Sequence, residues 1–313
     1  MSDCVIAIDV GGSAIKAGIV DQHGGLHLSS SVPTDQTAGA DGVVAQIVAC
    51  TQRLETAAGR EGRTPVAVGL AVLGLTDDEA GIAVLSANAG WRDVGVRELL
   101  REKTALPVAF GHDVRAGGLA EAVLGAGRGA GDHLFLAIGT GVAGAIMLGG
   151  EPYRGTGFAG EIGHIEVDSP SAGPCGCGGR NCLETVVSAR ALARHYAERT
   201  GERVSAAEVA ARVDGGDPHA RELWQELVDA LAAGLTMYCS LLAPGLVVVG
   251  GGFAAAGSRL LDPLRERLAA RLSFQKPPAL VPAELGERAG CLGAGLFAWQ
   301  LAGRPVPVRE RAS

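Results

Sequence analysis

The sequence predicts an α/β protein of two domains, and three observations predict it. The chain has 313 residues, ample for a large core and suggestive of two domains. Short apolar runs bounded by glycine alternate with longer stretches whose apolar residues recur at helical spacing. Two glycine-tipped hairpins, at Asp9–Ser13 and Gly139–Gly144, head two successive halves of the chain, as a duplicated domain would place them. The expected division is 1–113 as a smaller N-terminal α/β domain, joined by the C-terminal helix 291–303, and 114–290 as a larger α/β domain.

Taken in order, Val5–Val10 is an apolar strand that ends on Asp9-Val10-Gly11-Gly12-Ser13. A second strand, Ala14–Val20, closes at Gly24-Gly25. The tip between them exposes backbone N–H groups and a hydroxyl, which suit phosphate oxygens. Asp9 is placed to hold a hydrated Mg²⁺, with Lys16 just past the turn. No Gly-Lys-Ser/Thr occurs, so this is no Walker loop, and on this stretch alone a plain hairpin is as good a reading. Asp41 is expected to cap a helix carrying Val43, Val44, Ile47, Val48 and Leu54, ended by Gly59. Val66–Val72 is a buried strand. Ser86–Trp91 reads as an exposed loop whose Asn88 and Trp91 could grip a sugar, or equally as a turn with one anchoring aromatic. Asp93 is expected to cap a helix through Leu99 and Leu100. The strand Pro107–Phe110 leads through Gly111-His112-Asp113 into a helix, Arg115–Leu124. An Asp at a strand's C-terminal end is where α/β folds carry catalytic groups, although an N-cap is the commoner fate of such a residue.

The strand His133–Ile138 runs into Gly139-Thr140-Gly141-Val142-Ala143-Gly144. That matches the dinucleotide pattern G-x-G-x-x-G, which demands a helix next, yet Ala145–Leu148 reads as a strand. It is therefore a second hairpin echoing the one at Asp9, with nucleotide phosphates pinched between the pair. After the loops that follow, helices start at Ser188, at the capping box Ser205–Glu208, and at Asp217-Pro218, the last reaching Leu242. The strand Leu246–Val249 ends in Gly250-Gly251-Gly252, where backbone can approach a flat ligand such as adenine. A helix around Leu260–Leu272, with Pro263 in its first turn, and another at Cys291–Leu301 precede a Pro- and Arg-rich tail from Arg304 that is expected to be loose.

Between Glu161 and Glu184 lie His164, Cys175, Cys177 and Cys182 in a segment too rich in Gly and Pro for a helix or strand. One imidazole and three thiolates are the donor set of a closed, tetrahedral structural Zn²⁺ site. Cysteines one residue apart can share a metal but rarely a disulfide. A metal there would brace a loop carrying the carboxylates of Glu161 and Glu184.

Bulk properties narrow the function classes. A net charge of −7 argues against nucleic acid and anionic membranes as partners. The run Val5–Ile8 is too short and meets Asp9 too soon for a signal peptide. Cys4, Cys50, Cys239 and Cys291 are dispersed in apolar contexts, as reduced thiols of a cytoplasmic protein are. The uncharged runs Leu134–Gly150 and Thr236–Ser258 are broken by glycine and proline, so no membrane span is expected.

Over nearly its whole length the chain resembles the ROK family of sugar kinases. Asp9-Val10-Gly11-Gly12-Ser13 with Lys16 looks like the family's first phosphate motif, Ile138–Gly144 like the second, and Pro244 with Gly250-Gly251-Gly252 like its adenosine motif. Glu161-Ile162-Gly163-His164 with Cys175-Gly176-Cys177-Gly178 and Cys182-Leu183-Glu184 is similar to its zinc and sugar signature. The resemblance implies the actin-like/hexokinase-type ATPase fold with a ligand cleft between its domains, and ATP-dependent phosphorylation of the 6-hydroxyl of a glucose-type hexose. Asp113 would be the general base. Asn88, Gly90, His112, Glu161, His164 and Glu184 would contact the sugar, and His164 would also bind zinc beside Cys175, Cys177 and Cys182. Asp9, Gly11, Gly12, Ser13, Lys16, Gly139, Thr140, Gly141 and Gly250–Gly252 would hold ATP and Mg²⁺. A homo-oligomer, dimer or tetramer, is expected.

Three departures bear on substrate and phosphate fit. His112 stands where the family usually has Asn, Val72-Leu73-Gly74 replaces an Ala-Pro-Gly turn, and Ser13 replaces a commoner Thr. The resemblance places residue 112 near positions 3 and 4 of the sugar, and ROK kinases acting on kanosamine, 3-amino-3-deoxyglucose, are known. A neutral His112 could accept a hydrogen bond from that ammonium, and activity would then fall as histidine charges near ~6.5. Glucokinase and N-acetylmannosamine kinase are the alternatives within the class. A ROK-type sugar-responsive regulator without catalysis is the alternative outside it, disfavoured because the first phosphate motif begins at Val5 and the chain is acidic.

Overall fold

The computed structural model describes residues 2–86 and 89–305. They divide between two compact units: those within 1–131, 146–159 and 287–313 belong to the first, and Asp132–Ala145 and Gly160–Gly286 to the second.

The first unit opens with β1 (Ser2–Val10), β2 (Ala14–Asp21) and β3 (Leu26–Pro33), an antiparallel meander. The helix α1 (Gly39–Arg60) then carries the chain to β4 (Arg63–Val72), parallel to β1. A small antiparallel sheet, β5 (Leu75–Asp77), β6 (Ile82–Ser86) and β7 (Trp91–Val94), and the short α2 (Val96–Arg101) precede β8 (Val108–His112), which pairs parallel with β4. The helix α3 (Asp113–Leu124) follows without a loop. The main sheet has the order β3-β2-β1-β4-β8. Alternation along β1 decides its two faces: Cys4, Ile6, Ile8 and Val10 join Val43, Ile47 and Leu54 of α1 in one core. The opposite face is covered by α9 (Ala289–Leu301), which packs on β1, β4 and β8 and also against α3. Contact there is close enough that a Cβ on Gly69 would collide with the Ala294 carbonyl. The pairings Val10 with Val72 and Val72 with His112 put the ends of β1, β4 and β8 level, so the turn after Asp9 and the His112-Asp113 step share one edge of the sheet.

The second sheet repeats this plan. β9 (His133–Ile138) turns at Gly139–Gly141 into β10 (Val142–Leu148), and β11 (Glu151–Pro152), counted with the last residues of β10 in the first unit, pairs with the end of β10. After the loop carrying His164, Cys175, Cys177 and Cys182 come α4 (Glu184–Val187), α5 (Ala189–Thr200), α6 (Ala206–Asp214) and α7 (Pro218–Leu242). β12 (Leu246–Gly250), α8 (Ser258–Arg271) and β13 (Ala279–Pro282) complete it, with β12 parallel to both β9 and β13. The strand order β11-β10-β9-β12-β13 is the order of the first sheet, element for element. Both hairpin tips are closed by a backbone bond, Gly11 N–H to Ala14 O at 3.0 Å and Gly139 N–H to Gly141 O at 2.9 Å.

Several expectations change. α1 begins at Gly39, so Asp41 is a first-turn residue and not its cap. Asp93 lies in β7, and α2 is capped by Gly95. Pro263 sits inside α8, which begins at Ser258. The boundary expected after Asp113 falls at the first residue of α3, a helix of the first unit that packs on α9. The expected loop Ser86–Trp91 contains the buried start of β7, with Trp91 only 1% exposed; the core claims that indole, which is not displayed for a sugar. Among the described residues no helix is long and apolar enough to cross a membrane.

Candidate active site

In the first unit the turn after β1 is pinned from β3's end: the Thr34 hydroxyl donates to Gly11 O at 2.7 Å, and Thr34 N–H donates to Ser13 O at 3.1 Å. Across the hairpin Asp9 pairs in register with Lys16. Burial pushes the Asp9 carboxyl up to about 6, with the Lys16 charge working the other way. A Cβ on Gly290, in the first turn of α9, would strike that carboxylate. Lys16 donates to the carbonyl of Glu287 at 3.3 Å and lies 3.4 Å from its carboxylate. Phosphate-seeking residues expected from the sequence, Asp9, Gly11, Gly12, Ser13 and Lys16, are thus gathered at one turn.

At the same sheet edge, β8 hands over to α3 through His112 and Asp113. One backbone N–H, that of Val114, is shared by His112 Nδ1 at 3.2 Å and Asp113 Oδ1 at 2.7 Å. His112 is the N-cap of α3, and Asp113 is its first residue. Because Nδ1 accepts, the proton of the neutral ring is assigned to Nε2. Burial, with the Arg115 guanidinium close by, drives His112 down to about 3 from the ordinary 6.5. The expected loss of activity near pH 6.5 through this ring is therefore corrected: it stays neutral far below that range. The expected acceptor for an ammonium is corrected too, since the accepting nitrogen is already committed to α3. Arg115, 1% exposed, donates to Thr76 Oγ1 at 2.7 Å, Asp78 Oδ1 at 3.0 Å and Gly157 O at 3.1 Å. Of the loop expected at the sugar, Asn88 lies outside the described residues; Gly90 is exposed, with φ +67°.

In the second unit the tip Gly139–Gly141 is flanked by two contacts from one segment: Ala189 N–H donates to Gly139 O at 2.8 Å, and Glu184 Oε2 accepts from Val142 N–H at 2.9 Å. The stretch bearing Glu161 and His164 runs beside the same strand, with Gly144 N–H donating to Gly160 O at 2.7 Å. The ligating atoms of His164, Cys175, Cys177 and Cys182 all lie within 4.8 Å of one another. His164 Nδ1 and Cys175 Sγ are 3.6 Å apart, and Cys177 Sγ and Cys182 Sγ 3.7 Å. Tetrahedral Zn²⁺ with bonds of about 2.3 Å to S and 2.0 Å to N separates its donors by about 3.5 to 3.8 Å, so these residues fit the ion. Among the glycines after β12, Gly250 and Gly251 serve packing: side chains there would meet Phe135 and the Ile138 backbone. Gly252 instead lines a cavity of about 430 Å³ with Ala189, Ser205, Trp224, Phe253 and Arg259. Trp224 and Phe253 stack beside it, centroids 5.9 Å apart and planes 12° off parallel.

The profile of the ROK family matches residues 5–300. The chain belongs to the ROK family. It is 31% identical to a glucokinase of Streptomyces coelicolor, over 97% of this chain and 98% of that one. Among solved structures it is similar to a ROK hexokinase from Thermus thermophilus, with TM-score 0.84, 33% identity, and 96% of this chain and 99% of that one covered. It is equally similar to a ROK family glucokinase from Streptomyces griseus solved with glucose and AMPPNP, with TM-score 0.82, 32% identity, and 95% and 99% covered. As a ROK protein it has the two-domain actin-like/hexokinase-type ATPase fold, which its twin sheets embody.

Sequence reasoning missed three groups of residues in this ROK chain. Glu287 and Gly290 reach Lys16 and Asp9, beside the turn after β1, from distant sequence with no local signal. The Arg115–Thr76–Asp78 cluster left only one hint, a single Arg on a helix made mostly of small and apolar residues. The cavity residues Ser205, Trp224 and Phe253 were readable as helix cap and core, and only the fold brings them to Gly252.

Proposed function

We propose that this protein transfers the γ-phosphoryl group of ATP to the 6-hydroxyl of a glucose-type hexose. The observation that carries the reading is the position of Asp113: a carboxylate at the C-terminal end of β8, level with the turn after Asp9. Whole-length likeness to a ROK hexokinase and a ROK glucokinase supports an ATP-dependent sugar kinase. In this reading Asp113 accepts the hydroxyl proton as the oxygen attacks, and Val114 N–H holds the carboxylate in place. At the first hairpin tip Ser13 and the backbone would contact phosphate oxygens, with Lys16 offsetting their charge, and at the second tip Thr140 and the backbone are proposed for the same task. The cavity at Gly252 takes the adenosine, with Trp224 and Phe253 forming an apolar wall. Mg²⁺ would sit near Asp9, where it would neutralise phosphate charge. Zn²⁺ at His164, Cys175, Cys177 and Cys182 would be structural, holding Glu161, His164 and Glu184 toward the sugar.

Glucose is the first candidate substrate. With Nδ1 of His112 accepting from α3 and the ring neutral, its proton is assigned to Nε2, which leaves no second accepting nitrogen for an ammonium. Kanosamine, whose motive was an accepting imidazole, becomes the second candidate, supported by the carboxylates alone. The seven thiols are all unpaired, which suits a cytoplasmic home. A dimer or tetramer is proposed and is checked by light scattering. The deciding experiment is ADP release from Mg·ATP on a panel of glucose, kanosamine, glucosamine and N-acetylmannosamine. Glucose is expected to win on kcat/KM. A higher value for kanosamine would reinstate the amino sugar, and no release with any hexose would remove the kinase reading.

A further inference from the structure

Glu184 is expected at the sugar, yet one of its carboxylate oxygens is occupied elsewhere. Oε2 accepts from the N–H of Val142, the first residue of β10 and the one that ends the tip Gly139–Gly141. We infer that Glu184 is a positioning residue for that tip, setting the phosphate-holding backbone through Val142 independently of any contact with sugar. The inference rests on reading Gly139–Gly144 as a phosphate loop.

Four observations converge on it. A Cβ on residue 141 would lie 2.5 Å from the same Oε2, so a side chain there would make the carboxylate shift from its place against Val142. Gly141 is absent from the residues with positive φ, so backbone freedom does not explain the glycine, whereas clearance for Glu184 does. The tip is held at both ends by one short segment, at Gly139 through Ala189 N–H and at Val142 through Glu184. Glu184 itself is rigidly based: Leu183 N–H donates to Ile165 O at 2.9 Å, and Cys182 O accepts from Thr185 N–H at 2.8 Å and from the Thr185 hydroxyl at 2.7 Å. The bond from Val142 N–H to a carboxylate oxygen is charge-assisted, and stronger than one to a neutral acceptor.

The test is calorimetric titration of Mg·ADP with no sugar present, on protein whose zinc content is checked for each variant. Thr140→Ala examines the phosphate-loop reading by itself and should weaken ADP binding. Glu184→Ala should weaken it by about tenfold or more, the scale of a lost hydrogen bond to a charged group. Glu184→Gln keeps an accepting oxygen for Val142 and should stay within about threefold of wild type. Gly141→Ala should push the carboxylate away and mimic Glu184→Ala, and the double variant should be little worse than either single one. Should Glu184→Ala fail to fold, Gly141→Ala with Glu184→Gln still decides. Wild-type affinity in Glu184→Ala or Gly141→Ala, beside a weakened Thr140→Ala, overturns the inference and leaves the phosphate loop standing. Additive losses in the double variant, or a Gln variant as weak as Ala, also overturn it. Wild-type affinity in Thr140→Ala and Glu184→Ala together overturns both.

Discussion

Asp113 and His112 divide one N–H between them, and each is held by the division. With the Val114 bond fixing Oδ1, exchange of the carboxylate for an amide should leave the helix start intact while removing the base. Asp113→Asn is expected to lose about 10²–10⁴-fold in kcat, with Mg·ADP affinity by calorimetry unchanged. A variant that keeps most of its turnover would reduce Asp113 to a helix-start residue. His112 makes a prediction about acid. Its folded pKa, about 3, lies below the ordinary 6.5, so between those values the unfolded chain binds the extra proton. The stability this ring contributes is therefore complete above 6.5 and is lost as the pH falls toward 3. His112→Asn should lose less stability than wild type between pH 7 and 4 in urea unfolding, and equal losses would contradict the buried neutral ring.

At the scale of elements, what was legible followed from local chemistry. α5, α6 and α7 begin where Ser188, the Ser205–Glu208 box and Asp217-Pro218 say they should, because a cap is completed within a few residues. β3 and the small β5-β6-β7 sheet were not legible: Ser29-Ser30-Ser31 reads as loop until β2 pairs with it, and β5 is too short to show alternation. The site splits the same way. Motif residues announced themselves, while Glu287, Gly290 and the Arg115 cluster needed the tertiary fold. Arg115 ties α3 to β5 and to Gly157, and its side chain and that of Asp78 are 2% and 7% exposed. Arg115→Met should cost about 3–5 kcal/mol in denaturant unfolding, the usual penalty for stranding one partner of a buried pair. Arg154, 3.7 Å from Asp78 but half exposed, is a poor substitute. For the cysteine loop, metal analysis should find about one zinc per chain, and Cys177→Ala should lower soluble yield as well as activity. A folded, active protein without zinc would refute the assignment.

For the whole molecule, the repeated strand order was foreshadowed by two hairpin tips and the C-terminal helix was expected with the first unit, whereas α3 and Ile146–Ala159 were expected in the second and fall in the first. Hydrophobic periodicity shows that a segment is buried and is silent on which distant segment buries it. α9 illustrates this, with apolar residues on every side because sheet and α3 both cover it. That arrangement also has a consequence for how the protein is made. The face of β1, β4 and β8 that α9 covers leaves the ribosome well before its cover does, with the whole second unit emerging in between. Until α9 emerges the nascent first unit must carry a bare apolar surface, the condition under which chaperones bind and aggregates start. The second unit, by contrast, has emerged in full once Gly286 is out. A stop codon placed after Gly286 should therefore yield insoluble chain, although every phosphate, sugar and zinc residue named above except those of α9's approach would still be present.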